Sequence, residues 1–453
     1  MSHNILFIIL DSCRGDKFFG EYKNSITPNI DKLIQKGTYF ENTISASDAT
    51  LLGISSIFTG IHSFKTGIRS TRFNKLDKHV STFFQLFKKN KYNIFGNTPT
   101  VTETIGLLPE FDNKQSTYDY HFDLGNGLAT KVIETLKKEV NEPWLYYVHA
   151  NDLHFPINPP DEYKDEKFGD SNYEKMISAI DYWLGKIINK IDLENTLIVI
   201  TADHGSYIQT VKIEDKIINF EPNANKQLKI TKIGNKIPKF LNPLKKKIFD
   251  QIEKSNMETR EKTIESLNLR PYQKRALLWQ RGDIDKFLYD ENIHVPFLIA
   301  GPGIPKNKTI SQQVRHVDIF PTIAELVEVK LDFATDGISL LPLINGEDVD
   351  ELPAYIESTP LVQKQTNDVV GIRTSEFKYF RDKDNAKKRI YLFNLKNDPF
   401  EEENIAEETP ERILEMEKIL EQILEQKNGD EGIEFDEDET RAIEEELKKL
   451  GYD

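Results

Sequence analysis

Hydrophobic and polar residues along this chain follow two periods in turn. Ile5–Leu10 is an unbroken, β-friendly apolar run that stops at a carboxylate, Asp11. Continuous runs suit a strand buried on both faces, as in a parallel sheet. Trp144–Val148, Thr196–Ile200 and Val295–Ile299 repeat the pattern. Between them lie stretches with helical spacing. TPNIDKLIQKG (27–37) has Thr27 at a cap position, Pro28 in the first turn and Gly37 at its end; 80–90, 127–139 and 173–191 follow. Strands alternating with helices predict an α/β/α sandwich around a mostly parallel central sheet. Ligands of such sheets bind at the carboxyl ends of strands. Asp11, His149 and Asp203 each follow a strand, which predicts one shared rim.

From about residue 354 the pattern changes to short strands at 369–373, 377–381 and 389–393, then helices at 410–427 and 437–449. The expected organisation is a large α/β unit over 1–350 and a small C-terminal α+β unit with an acidic helical tail over 351–453. Residues 206–286 lack clean strand periodicity and carry Pro222, Pro238, Pro243 and Pro271. They predict an insertion of loops and helices hung on the rim of the main sheet.

Composition narrows the class. At 453 residues, 38% hydrophobic and 29% charged, the chain is globular rather than disordered or fibrous. No run of 18 apolar residues exists, which excludes a spanning helix. MSHNILFIILDS lacks the basic flank and cleavage site of a signal peptide, so a cytoplasmic chain is expected. The single cysteine, Cys13, excludes internal disulfides and a cysteine-based zinc cage. A net charge of −15 argues against nucleic acid as a general partner. That charge is uneven: 206–286 holds 18 basic against 10 acidic residues, and 396–453 holds 7 against 22. A solvated loop, a docking surface for the acidic tail and a basic cap over an anionic substrate are all consistent with this split, and the cap is the reading favoured.

Four motifs carry candidate chemistry. In ILDSCRGD (9–16), Asp11 ends a buried strand and reads equally as metal ligand or helix cap. In VITADHGS (199–206), adjacent Asp203 and His204 offer an oxygen and a nitrogen to a divalent ion, the reading favoured over a simple turn. In SASDATLLGISSIFTG (45–60), Thr50 falls at a helix start, where free N–H groups favour a developing anion; plain capping by Ser47, Asp48 or Thr50 is the reading that composition alone favours. In YYVHANDLHFPINPP (146–160), His149, Asp152 and His154 follow a strand on a proline-stiffened loop, positioned for proton donation or oxyanion contact.

Taken in order, these motifs resemble the sulfatase-like branch of the alkaline phosphatase superfamily. The likeness continues through SIFTGIHSFKTGI (56–68), LYDENIHVPFLIAGPGI (288–304), HVDIFPTIAEL (316–326), DGISLLPLINGE (336–347) and LFNLKNDPFEEENIAE (392–407). It implies one divalent ion (Mn, Zn, Ca or Mg) held by Asp11, Thr50, Asp203 and His204. Thr50 would be the nucleophile and His154 the contact to the transferred group or leaving oxygen. His294, beside His149 and Asp152, joins as a substrate-side residue. Sulfatases carry a Cys or Ser in C/S-x-P-x-R that is oxidised to formylglycine. Here Thr50, Leu52 and Ile54 occupy those three positions, so no formylglycine is expected. Where many relatives have a basic residue, this chain has GNTPT (96–100), and Asn97 is the candidate donor to a phosphate oxygen. The resemblance therefore implies a metal-dependent hydrolase or transferase acting on anionic phosphate, phosphonate or sulfate esters of small molecules, glycans or lipids. The alternative is a non-catalytic binding protein that retains the metal. A homo-oligomer is compatible with either.

Overall fold

The computed structural model describes residues 3–68, 75–103, 105–118, 122–138, 140–213, 216–221, 257–279, 288–358 and 368–426. The chain folds around an eight-stranded sheet. Its strands begin with β1 (Asn4–Leu10), β2 (Gly37–Ile44), β3 (Asn93–Pro99), β4 (Thr117–Tyr118), β5 (Trp144–Ala150) and β6 (Thr196–Thr201). A separate hairpin, β7 (Thr210–Ile213) and β8 (Lys216–Asn219), precedes the last two, β9 (His294–Ala300) and β10 (Lys308–Arg315). The spatial order is β10-β2-β9-β6-β1-β5-β3-β4. Neighbours are parallel except β9, which runs antiparallel to both β2 and β6. The apolar run at 295–299 thus encoded burial on two faces but not direction, because both directions bury such a strand equally.

Every residue of β1, β5 and β6 is buried, and alternation divides them between two cores. Ile5, Phe7, Ile9, Leu145, Tyr147, Leu197 and Val199 face a core shared with Ile54, Ile57, Phe58, Phe83 and Phe84. Leu6, Ile8, Leu10, Tyr146, Val148, Ile198 and Ile200 face the other, shared with Ile30, Leu33, Tyr173, Ile177 and Leu184. Helices thus cover both faces, as the alternating pattern predicts. Capping boxes start two of them, Thr82 with Gln85 for Phe83–Lys89 and Ser171 with Glu174 for Asn172–Ile188. The helix expected over 27–37 forms as Pro28–Gln35, and that over 127–139 as Ala129–Lys137.

The second sheet is antiparallel in chain order: β11 (Ala354–Ser358), β12 (Val369–Arg373), β13 (Phe377–Asp382) and β14 (Tyr391–Asn394). One face takes the helix Pro410–Leu424 through Met416, Leu420 and Ile423. The other packs on Ile44, Leu288 and Ile293 at the edge of the main sheet. The helix expected at 437–449 lies outside the described residues. β11 also runs alongside the segment that leads into Thr50. Its Glu357 amide donates to the Ala46 carbonyl at 2.9 Å, Ser63 hydrogen-bonds the Glu357 carboxylate, and Ser358 Oγ donates to Asp48 at 3.1 Å.

The described parts of 206–286 are the β7–β8 hairpin, a helical stretch at 257–265 and the helix Pro271–Leu278. The hairpin is a correction to the loops-and-helices expectation; its Val211, Ile213 and Ile218 pack with Ile264 and Leu277 in a small core of their own. The basic run 245–247 lies outside the described residues. Tyr272 stacks on Phe400 at 4.5 Å, Arg270 grips the Glu402 carboxylate, and Arg275 donates to the carbonyls of Phe400 and Glu401 and to Glu291. The insertion is therefore pinned to the start of the acidic segment. Trp279 lies against Tyr207 at 5.8 Å and Phe155 at 5.9 Å. Tyr207 is fully buried and the Tyr272 ring is taken up by Phe400, so neither is placed to meet a ligand.

Candidate active site and metal centre

The same alternation that buries Leu197, Ile5 and Leu145 builds the site. On the three adjacent strands β6, β1 and β5, odd-numbered residues face one core, and the series ends in Asp203, Asp11 and His149. Asp11 directly follows β1, Asp203 lies two residues beyond β6, and His149 sits inside β5 opposite Ile9. All three are buried, and one potential ligand atom from each lies within 4.8 Å of the others. His149 Nε2 is 3.2 Å from Asp11 Oδ2, and its Nδ1 meets the Tyr147 hydroxyl at 2.7 Å.

The helix Thr50–Thr59 reaches this cluster because of Gly53. A Cβ there would stand 2.3 Å from the Asp203 carbonyl oxygen, so only glycine lets the helix approach so closely. Ser45 Oγ donates to the same carbonyl at 2.6 Å. Thr50 Oγ1 lies 3.2 Å from His204 Nε2 and 3.4 Å from Asp11 Oδ2. His204 Nδ1 contacts the Gly205 carbonyl at 2.6 Å, and a carbonyl only accepts. Neutral His204 therefore turns an Nε2 lone pair toward Thr50. The N-cap is Ala49, with no side-chain cap bond. The capping role considered for Ser47, Asp48 or Thr50 is thus not the one they play, and the first-turn N–H groups remain available to an anion.

Charges in the cluster oppose one another. Burial raises the Asp11 carboxyl, but the His149 hydrogen bond and the charges of His154, His204 and His149 outweigh it and hold the group below the usual carboxylate range. Burial, then the charge of Asp11, raises Asp203. Burial would lower His204, yet Asp203 and Asp11 raise it. Burial pushes Asp48 up to about 6, against Ser358 and His204. Asp203 Oδ1 accepts the backbone N–H groups of Ser12 (3.0 Å) and His204 (2.9 Å), while its buried Oδ2 has no hydrogen-bond partner. An orphaned carboxylate oxygen facing a second carboxylate is the pattern a divalent cation resolves. The residues present fit such an ion.

The other candidates are placed differently. His154 Nδ1 meets the Phe155 carbonyl at 3.0 Å, and its charge acts on Asp11. Asn97 is fully buried, accepting from Tyr146 at 2.7 Å and facing the Gln115 carbonyl. His294 Nε2 meets the Glu41 carbonyl at 2.5 Å, and its ring lies against Gly15. Asp152 holds the Leu124 N–H at 3.2 Å. These last three are engaged by protein groups, because a long-range packing partner stands where the sequence shows only a polar residue near a strand end. Sequence reasoning missed Tyr147, the partner of His149; its two-residue spacing on one strand was the available signal. It also missed the contact of Asp48 with Ser358, which no local pattern reveals.

Asp152 carries a testable pH effect. Burial, then the charge of Asp123, pushes its carboxyl up to about 8. The unfolded carboxyl ionises near pH 4. Between those values the unfolded chain loses a proton that the folded chain keeps, so stability falls as pH rises from about 4 to 8. Asp152→Asn should remove this loss. Its Tm should gain on that of the wild type steadily from pH 5 to pH 8, and parallel Tm curves would refute the assignment.

Comparison with known proteins locates this geometry. The family model "Sulfatase" matches residues 3–329, and "N-sulphoglucosamine sulphohydrolase, C-terminal" matches 281–429. Arylsulfatase K of Homo sapiens is 33% identical over 143 residues, which is 30% of this chain and 27% of that protein. The Gallus gallus protein of that name is also 33% identical over 143 residues, 30% of this chain and 27% of its own length. The chain thus spans about a quarter of the length of the curated relatives it matches. Among solved structures, the phosphonate monoester hydrolase of Agrobacterium radiobacter superposes with TM-score 0.67 at 16% identity, covering 94% of this chain and 96% of that one. A protein solved in complex with its substrate D-glucosamine-2-N,6-O-disulfate gives TM-score 0.65 at 16% identity, covering 94% and 98%. These likenesses show the fold. No helix among the described residues is long and apolar enough to cross a membrane.

Proposed function

The chain belongs to the sulfatase family, and from that premise we propose that it is a metal-dependent ester hydrolase in which unmodified Thr50 is the nucleophile and phosphorus esters are better substrates than sulfate esters. The observation that carries this is the Thr50 hydroxyl, within 3.2 Å of an acceptor nitrogen at the start of a helix. A divalent ion held by Asp11, Asp203, His204 and Thr50 would neutralise substrate oxygens and lower the pKa of the hydroxyl.

The chain's own groups do the rest. With His204 Nδ1–H on the Gly205 carbonyl, its Nε2 lone pair would be committed to the ion, so the proton on Thr50 Oγ1 leaves to solvent water, and the oxygen attacks phosphorus or sulfur as the bond to the leaving alcohol breaks. First-turn N–H groups of Thr50–Thr59 face the charge that develops on the non-bridging oxygens. His154, near Asp11, donates a proton to the leaving oxygen. Water then attacks the same phosphorus or sulfur and releases Thr50. A sulfated formylglycine hydrate can expel sulfate by cleaving its own carbon–oxygen bond. A threonine ester has no second hydroxyl on that carbon and needs a second attack at the central atom. That requirement favours phosphate and phosphonate.

The test is turnover of nitrophenyl phosphate, phenylphosphonate and sulfate after chelation and reloading with Mn, Zn, Ca or Mg. Metal-dependent cleavage of the phosphorus esters, faster than of the sulfate, is expected. Turnover of the sulfate alone would overturn the substrate preference. No turnover with any metal would favour the non-catalytic alternative.

A further inference from the structure

We infer that His149 is itself a ligand of the metal centre, which gives the site two imidazole nitrogens beside two carboxylates and a hydroxyl and makes it select zinc over calcium and magnesium. This rests on the reading of Asp11 and Asp203 as ligands and extends it to a residue the sequence placed on the substrate side.

His149 is fully buried within β5, so a substrate contact is the role its position suits least. Its Nε2 points at Asp11 Oδ2, and the two groups share one potential ligand site with Asp203. A simple structural pairing of His149 with Asp11 would satisfy those two and leave Asp203 Oδ2 buried without a hydrogen bond, with His204 Nε2 3.6 Å away. Asp11 also has a donor other than the imidazole, since Ser12 Oγ donates to its Oδ1 at 2.7 Å. A cation among the three groups satisfies all of them.

The partner of Nδ1 allows this. The Tyr147 hydroxyl stands 2.7 Å from it. A phenol hydroxyl can donate to Nδ1 or accept from it. Without a metal, Nε2–H donates to Asp11 and Nδ1 accepts from Tyr147. With a metal, Nδ1–H donates to Tyr147 and the Nε2 lone pair is released. Ligating histidines characteristically give their second N–H to such a partner. Calcium and magnesium take oxygen ligands, whereas imidazole suits zinc and its neighbours. A second imidazole therefore shifts preference away from the alkaline-earth ions.

The zinc-loaded full chain and His149→Gln are compared by X-ray absorption at the zinc edge and by zinc and calcium titration. Two coordinated imidazoles are expected in the wild type and one in the variant. Zinc affinity should fall by more than the roughly 10- to 100-fold that losing an outer partner costs, with calcium affinity little changed. One imidazole in the wild type, or an equal count in both proteins, overturns His149 as ligand and leaves the centre standing. A wild-type chain that takes up no zinc, manganese or calcium overturns the centre itself, and this inference with it. If His149→Gln fails to fold, Tyr147→Phe carries the test. Its zinc affinity falls roughly 10- to 100-fold if His149 is a ligand and is unchanged if it is not.

Discussion

Thr50→Ala is expected to lower turnover of nitrophenyl phosphate by a factor on the order of 10³ to 10⁶, the usual cost of deleting a nucleophile. The side chain is half-buried and sits at the first position of its helix, so its removal leaves the core residues Ile54, Ile57 and Phe58 in place. Tm should therefore change little while the rate collapses. Thr50→Ser should keep part of the activity, because it retains the hydroxyl and loses only a methyl group. The intact mass should equal that of the unmodified 52.4 kDa chain, with no adduct after hydrazine treatment. Near-native turnover in Thr50→Ala would remove Thr50 from the mechanism. Ser55 is a poor substitute, being fully buried and bonded to the Leu52 carbonyl at 2.9 Å. Ser47, which faces Asp48 at 3.4 Å, would be next to test.

Asp203→Ala should abolish both bound metal and activity, since under the proposed assignment it would delete a charge in direct contact with the ion. The same change strips acceptors from the Ser12 and His204 amides, so lost activity alone could reflect a disturbed fold. Asp203→Asn separates the two effects. Its amide oxygen can still accept both backbone N–H groups, and an uncharged NH2 replaces the orphaned Oδ2. The asparagine variant should melt near the wild-type temperature yet lose metal on elemental analysis and lose turnover with it. Unchanged metal content in Asp203→Ala would sink the assignment.

Residues governed by local chemistry were legible from sequence, and those governed by partners across the fold were not. Asp11 and Asp203 announced themselves because a buried apolar strand ending in a carboxylate is costly without a purpose. Thr50 could be found by its place at a helix start. The direction of β9 was hidden because apolar content reports burial and not polarity. β2, with Glu41, Asn42 and Thr43 inside its span, and β11 were hidden because their polar residues break the apolar run. Asn97 and His294 looked like site residues because each stands near a strand end. Tyr146 and the Glu41 carbonyl, 49 and 253 residues away in the chain, claim them instead. His149 was read on the right rim, but its bond to Asp11 follows from strand register, which the sequence of one strand does not contain.

The bonds from Glu357 and Ser358 to Ala46 and Asp48 constrain how this architecture can be inherited. The segment leading into Thr50 belongs to the first sheet by sequence and leans on the second for its shape. The two sheets therefore cannot be recombined freely between distant relatives as independent modules. A foreign C-terminal sheet would have to bring any residue but proline at position 357 for the amide bond, a carboxylate there for Ser63 and a hydroxyl at 358 for Asp48, or reshape the approach to Thr50 without altering a residue of the first sheet. Drift in β11 is thereby tied to drift in segment 45–48, some 310 positions earlier in the chain.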